Sequence, residues 1–311
     1  MQAHGMIVKM PVAVGMVAVD ASSAGSAGGG TAPETSPPAT ATANIEYQFR
    51  LEEPRPAAGE PPADVTEIGL NRLVGRPIRV EHTGEFSCVR CGRSVDRLFG
   101  EGYCYPCFRD APEAAECIVK PELCEAHLGR GRDAQWEEAH HNQPHAVYLA
   151  VSSALKVGVT RLTQIPTRWV DQGAAWAVQI AEVPYRQLAG RIEVVLKELY
   201  TDRTAWQRML KGELLEDVDL AGELTRIREH IASTADGAEL LPYIFESARL
   251  APRHLIYPLP APPEKVKSVN LQKSPIVEST LTGIRGQYLI FDGGAVLNVR
   301  RHSGFHVTLE A

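Results

Sequence analysis

Two Cys-x-x-Cys turns constrain this chain more than any other feature. Cys88-Val-Arg-Cys91 is followed, after twelve residues, by Cys104-Tyr-Pro-Cys107. Each turn aims two thiols at one point, and two such turns facing each other make the tetrahedral sulfur cage that zinc favours. The spacing predicts a zinc ribbon, with Cys88, Cys91, Cys104 and Cys107 holding a structural Zn²⁺. Gly92 behind the first turn, and Gly100 and Gly102 ahead of the second, permit the positive φ such turns use. The competing reading is a pair of structural disulfides. Four thiolate ligands leave no open coordination position, so the ion is expected to brace and not to catalyse.

The remaining composition sets limits. Of 311 residues, 44% are hydrophobic, enough for two or three modules with their own cores. A formal net charge of -6 carries no global basic surplus, so any nucleic-acid site has to be local. Six cysteines, four of them committed to the turns, fit a reducing cytoplasmic setting. No apolar run approaches the roughly 20 residues a bilayer span needs. The stretch 11–19, apolar and preceded by Lys9, resembles a weak signal peptide but reads better as a strand packing Val12, Val14, Val17 and Val19.

Taken in order, the chain reads as α+β. Residues 1–80 carry N-terminal strands, one of them at 45–51, around a Gly/Ala/Ser/Pro-rich disordered insertion at 20–43. Residues 81–144 form the zinc-ribbon region. Residues 145–235 read β-β-α-β-α: a hairpin over 145–159, a short helix near 168–172, a strand at 174–183, then helices beginning at 185, 204 and 217. Residues 254–311 form a β-meander, which strands 6–19 and 45–51 are expected to complete as a small barrel or sandwich.

Cys117, Cys124, His127, His140, His141 and His145 crowd into 29 residues behind the ribbon. Cysteine and neutral histidine are both good zinc ligands. A second site is expected from Cys117, Cys124, His127 and either His140 or His141, with His141 favoured. The bland alternative leaves the histidines on a polar loop and packs Cys117 as a small hydrophobe. Arg300, Arg301, His302 and His306 make a local basic patch near the C-terminus.

The motif order Ala146-Val147-Tyr148, Lys156-Val157-Gly158, Arg168 and Glu193 resembles the GIY-YIG nuclease superfamily, over about 65 residues. The resemblance implies Mg²⁺-dependent phosphodiester hydrolysis. Tyr148 would help deprotonate the attacking water, Lys156 would depress the tyrosine pKa, Arg168 would brace the phosphate and Glu193 would bind Mg²⁺. Lys156 stands where that superfamily usually has tyrosine, and Ala146 where it usually has glycine. Trp169, next to Arg168, either stacks on a base or packs inside, and packing is the expectation.

A larger part of the chain, from the ribbon through Arg301, resembles an uncharacterised bacterial family classed only as a domain of unknown function. The strings that carry this include Gly102-Tyr-Cys-Tyr-Pro-Cys-Phe108, Lys156-Val-Gly-Val-Thr-Arg161 and Thr167-Arg-Trp-Val-Asp-Gln-Gly-Ala174. Gly131 and His141 stand where that family usually has cysteines. The function expected is a zinc-ribbon protein acting on DNA or RNA, as an endonuclease-like enzyme. The alternatives are a non-catalytic nucleic-acid or ribonucleoprotein binding module and a structural zinc adaptor.

Overall fold

The computed structural model describes residues 1–17, 41–201, 205–215 and 218–311. Most of the insertion expected at 20–43, the end of the strand expected to 19, and the first residues of the helices expected from 204 and 217 therefore lie outside the described residues.

The N-terminal part contributes β1 (Gln2–Ile7), β2 (Val12–Val17), β3 (Ala41–Glu52), β4 (Val65–Gly69) and β5 (Pro77–Phe86). The thiol-rich region follows and contains α1 (Tyr105–Asp110), a run of short 3-10 turns, and α2 (Ala134–His140). The central part runs β6 (His145–Val151), β7 (Leu155–Arg161), α3 (Thr167–Asp171), β8 (Trp176–Val183), α4 (Arg186–Leu196), α5 (Trp206–Leu210), α6 (Leu220–Ala232) and α7 (Gly237–Leu240). The β-β-α-β-α order is as the hydrophobic periodicity indicated. The chain closes with β9 (Arg253–Ile256), β10 (Lys267–Ser268), β11 (Ile276–Arg285), β12 (Tyr288–Phe291), β13 (Ala295–Asn298) and β14 (Phe305–Glu310).

N- and C-terminal strands pair with each other: β1 lies antiparallel to β14, and β5 lies between β14 and β11. Instead of closing a separate small barrel or sandwich, they join the central strands in one hydrogen-bonded order, β10-β13-β12-β11-β5-β14-β1-β3-β9-β8-β6-β7. The physical reason is the length of β3. Its C-terminal end pairs with β1, while its N-terminal end, Ala41 to Asn44, runs parallel to β9, which leads on to β8. Ala41, Thr42 and Ala43, which composition assigns to the loose insertion, thus belong to a strand. Small side chains carry no periodicity, but all three residues pair with β9, and Thr42 and Ala43 pair with β2 as well.

β6 is buried at every position, as expected for a strand covered on both faces. Val147 and Leu149 enter a core shared with β8, α4 and α6. Tyr148 and Ala150 enter another, shared with Tyr47, Phe49, Trp169 and the strands from both ends of the chain. The terminal strands thereby cover the face of the central sheet that carries Tyr148. Among the described residues no helix is long and apolar enough to cross a membrane.

Candidate metal centre and cleft

The first thiol cluster is built at the end of β5. Gly92 N–H donates to Cys88 O at 2.8 Å and Cys88 N–H to Arg93 O at 3.0 Å, closing the first turn. Gly92 has φ +68, and a Cβ there would lie 1.8 Å from Arg55 O, so only glycine fits. The second pair differs from a ribbon turn. A tight bridge between Phe99 and Tyr103 delivers the chain to Cys104, which caps α1, and Cys107 sits inside that helix with Ala111 N–H on its carbonyl at 2.8 Å. Pro106 in the first helical turn starts the helix where a missing N–H costs nothing.

The four Sγ atoms lie within 4.8 Å of one another, and all six cysteines are free thiols. Cys91 Sγ and Cys104 Sγ are 3.7 Å apart. A tetrahedral cage with metal–sulfur bonds of about 2.3 Å has edges of about 3.8 Å, whereas a disulfide brings the sulfurs to about 2.05 Å. The donor set fits one metal ion and does not fit disulfides. Burial pushes the Cys88 thiol up, yet the backbone groups of Cys104, Cys91 and Arg90 outweigh it and bring the thiol down to about 7.

The second cluster is Cys117, Cys124, Glu137 and His141, with donor atoms again within 4.8 Å of one another. Cys124 Sγ is 3.5 Å and Cys117 Sγ 4.0 Å from His141 Nδ1, and Glu137 Oε2 contacts the same nitrogen. His127 and His140, considered as ligands above, lie elsewhere. His127 stacks on Tyr185 with ring centroids 4.5 Å apart, and His140 stacks on Trp136 at 4.1 Å. The member of this cluster that the sequence reading did not include is Glu137. Its signal was the i, i+4 spacing to His141, which places both on one side of α2 and its C-terminal residue.

The residues carried over from the nuclease resemblance cluster only in part. Tyr148 is 0% exposed, and its hydroxyl lies over Gly158, where a Cβ would come within 2.5 Å of it. Burial raises its pKa, and the nearby positive charge that opposes this is Arg168, not Lys156. A buried hydroxyl with a raised pKa does not suit the role of base expected of it. Lys156 is buried as well, and its strand bridges to Thr201. Glu193, nearly buried on α4, pairs with Lys197 at 3.4 Å. It belongs to neither cluster of ligating side chains found among the described residues. Trp169 packs inside, as expected, and Asp171 is held by Lys9 and Gln287.

Arg168 does line a large open cleft of about 1000 Å³. Arg161 at the end of β7, Arg168 on α3 and Arg186 at the start of α4 meet there. Among the described residues none of the three forms an ion pair with a carboxylate. Arg186 instead donates to Cys117 O at 3.0 Å and Ile118 O at 2.8 Å, and burial pushes down the pKa of both Arg186 and Arg161. The thiol-rich region lines the same cleft with Tyr105 (56% exposed) and Phe108 (38% exposed) from α1, and with Trp136 from α2. The basic patch read from residues 300–306 is dispersed. Arg300 lines the cleft paired to Glu101 at 2.8 Å, His302 is buried, and His306 bonds Ser87 Oγ at 2.9 Å.

Residues 75–307 match the family model described as Protein of unknown function (DUF2797). The chain belongs to this family. No curated protein and no solved structure matches it. The family match spans both clusters and the cleft lining apart from Lys9, so they are features of one DUF2797 unit.

Proposed function

We propose that this DUF2797 protein binds single-stranded nucleic acid in the cleft, and that a zinc ion in the Cys88, Cys91, Cys104 and Cys107 cage holds the aromatic part of that cleft in place. One observation carries the reading. Three half-buried arginines without carboxylate partners share a cleft with exposed Tyr105 and Phe108. Sequence-tolerant binding of single strands needs this combination, a positive groove for the backbone and aromatic faces for bases. Arg161 and Arg168 suit phosphate oxygens, which a guanidinium engages by a two-pronged hydrogen bond, whereas Arg186 is committed to Cys117 O and Ile118 O.

The all-thiolate cage supplies structure and no chemistry. Tyr105 and Phe108 flank Cys107 on α1, a six-residue helix too short to persist unaided, so their placement depends on the cage. A binding module is favoured over a nuclease because the hydroxyl that would act on water is sealed in the core. An endonuclease would need Tyr148 and Glu193 open to the cleft, and neither lines it.

Fluorescence anisotropy with labelled single-stranded DNA and RNA oligonucleotides of about 12 nucleotides tests this. Arg168→Ala should weaken binding and reduce the slope of log K against log salt by about 0.7. Tyr105→Ala should cost about 1–3 kcal/mol with little change in slope. Absence of binding to either strand type at low salt would remove the proposal.

A further inference from the structure

We infer that Cys117, Cys124, Glu137 and His141 are the ligands of a second zinc ion, with Glu137 as the fourth donor. The inference does not depend on what the cleft binds. Its first support is convergence. In a nucleophile–histidine–carboxylate relay, the carboxylate holds one ring nitrogen and the nucleophile meets the other. Here both thiols and the carboxylate gather on the same nitrogen, His141 Nδ1. One nitrogen cannot relay a proton between three partners, whereas four donors around one point describe a coordination sphere.

The sulfur–nitrogen distances agree with that reading. Metal–sulfur and metal–nitrogen bonds of about 2.3 and 2.0 Å at a tetrahedral angle give a sulfur–nitrogen edge of about 3.5 Å. The two edges observed are 3.5 Å and 4.0 Å. The donors are held by the protein itself. Arg186 anchors the Cys117 turn through two carbonyls, and Asp133 caps α2 by accepting from Trp136 N–H at 3.0 Å. Charge also balances. Two thiolates and a carboxylate around Zn²⁺ leave one net negative charge, and the Arg186 guanidinium is close enough to interact with both thiols.

Gly131 explains how a carboxylate comes to occupy this position. A Cβ at 131 would lie 2.4 Å from Glu137 Cγ and 2.8 Å from its Oε1. Glu137 therefore fills the space a side chain at 131 would take, and a donor placed at 131 would arrive at the same point of the sphere.

The test is metal content of the full-length chain purified from zinc-supplemented medium without chelators, read by elemental analysis. About two zinc ions per chain are expected, falling to about one in Glu137→Ala and in Cys117→Ser. One ion per wild-type chain, removed by Cys88→Ser, would overturn the inference. So would a Cys117–Cys124 disulfide in protein purified under reducing conditions. The double variant Gly131→Cys with Glu137→Ala should recover the second ion. After cobalt substitution it should show one more thiolate ligand in its charge-transfer absorption than wild type. Should Glu137→Ala keep both ions, Glu137 is not a ligand. Oligonucleotide binding is a separate readout, so loss of the second ion and failure of the cleft are told apart.

Discussion

The two thiol clusters of this chain sit on neighbouring stretches of sequence and are held in opposite ways. Around Cys88, Cys91, Cys104 and Cys107 the apolar support is thin: among the described residues, Val95 and Tyr103 are the partly buried side chains packed beside the cysteines. Around Cys117 and Cys124 the protein supplies the order. Gly190 of α4 lets Pro121 and Glu122 approach so closely that a Cβ there would lie 2.2 Å from Glu122 N, and Arg186 ties down the Cys117 turn. On the two-metal reading proposed here, the first cluster needs its ion to exist as structure, while the second is a preformed pocket. A metal whose site is absent from the unfolded chain contributes its binding energy to folding, so the same element should carry very different weight in the two places.

The largest effect follows from removing the first ion. Chelation, or Cys88→Ser, should unfold residues 87–111 at a cost on the order of 10 kcal/mol of metal-linked stability. Limited proteolysis should then cut within this region, and oligonucleotide binding should fall with it. Residues 112–141 should stay protected, because their docking on α4 is made of protein contacts. Equal proteolytic sensitivity of both stretches after chelation would erase the distinction.

Gly190→Ala probes that docking directly. The added methyl meets backbone atoms of Pro121 and Glu122, which cannot rotate away. Overpacking of this kind costs about 1–3 kcal/mol. Urea unfolding should register it, together with weaker retention of the second metal and an unchanged first one. If the loss falls on the first metal instead, the two clusters are mechanically coupled.

The contrast also explains what was legible in the sequence. Cys88 and Cys91 share one tight turn, and Cys104 and Cys107 share the start of α1, so local spacing alone groups the four thiols. Glu137 and His141 come from α2 and its C-terminal cap, which face a separate loop, and the i, i+4 spacing that pairs them does not say that they meet Cys117 and Cys124. Long strands behave alike. The apolar run of β6 is plain, but nothing local says that β3 bridges two parts of the fold, because its Ala-Thr-Ala start has no side-chain pattern. Arg161 and Arg186 escaped notice for a related reason. Each sits at the end of an element, and their convergence on Arg168 is a property of the sheet order.

A smaller effect tests the wall between the second cluster and β6. His145 is fully buried there, with Nδ1–H donating to Gln143 O at 2.7 Å. Burial pulls its pKa down to about 3. Its unfolded value is about 6.5. The folded state therefore refuses a proton that the unfolded chain accepts. The contribution to stability is complete above pH 6.5 and is lost as pH falls from there toward 3. The slope approaches 1.36 kcal/mol per pH unit, or about 2 kcal/mol between pH 6.5 and 5. Urea midpoints at pH 7 and pH 5 should show this loss in wild type and a reduced one in His145→Gln. An equal pH dependence in the two proteins would mean that His145 is not held neutral.

The smallest expected effect is the one that separates a binding module from a nuclease. Tyr148 has its ring locked between Gly158 and the core, and its hydroxyl has Arg168 and Gln172 nearby without a hydrogen bond of good geometry. Removing a buried hydroxyl that lacks a partner leaves packing intact and relieves a desolvated polar group. Tyr148→Phe should therefore change stability by no more than about 0.5 kcal/mol. It should leave oligonucleotide affinity unchanged, while Arg168→Ala lowers it. In a phosphodiester hydrolase that uses this tyrosine, the substitution would abolish Mg²⁺-dependent cleavage at unchanged affinity. Detecting such cleavage in wild type and its loss in Tyr148→Phe would reinstate catalysis, and would require the core around Tyr148 to open during turnover.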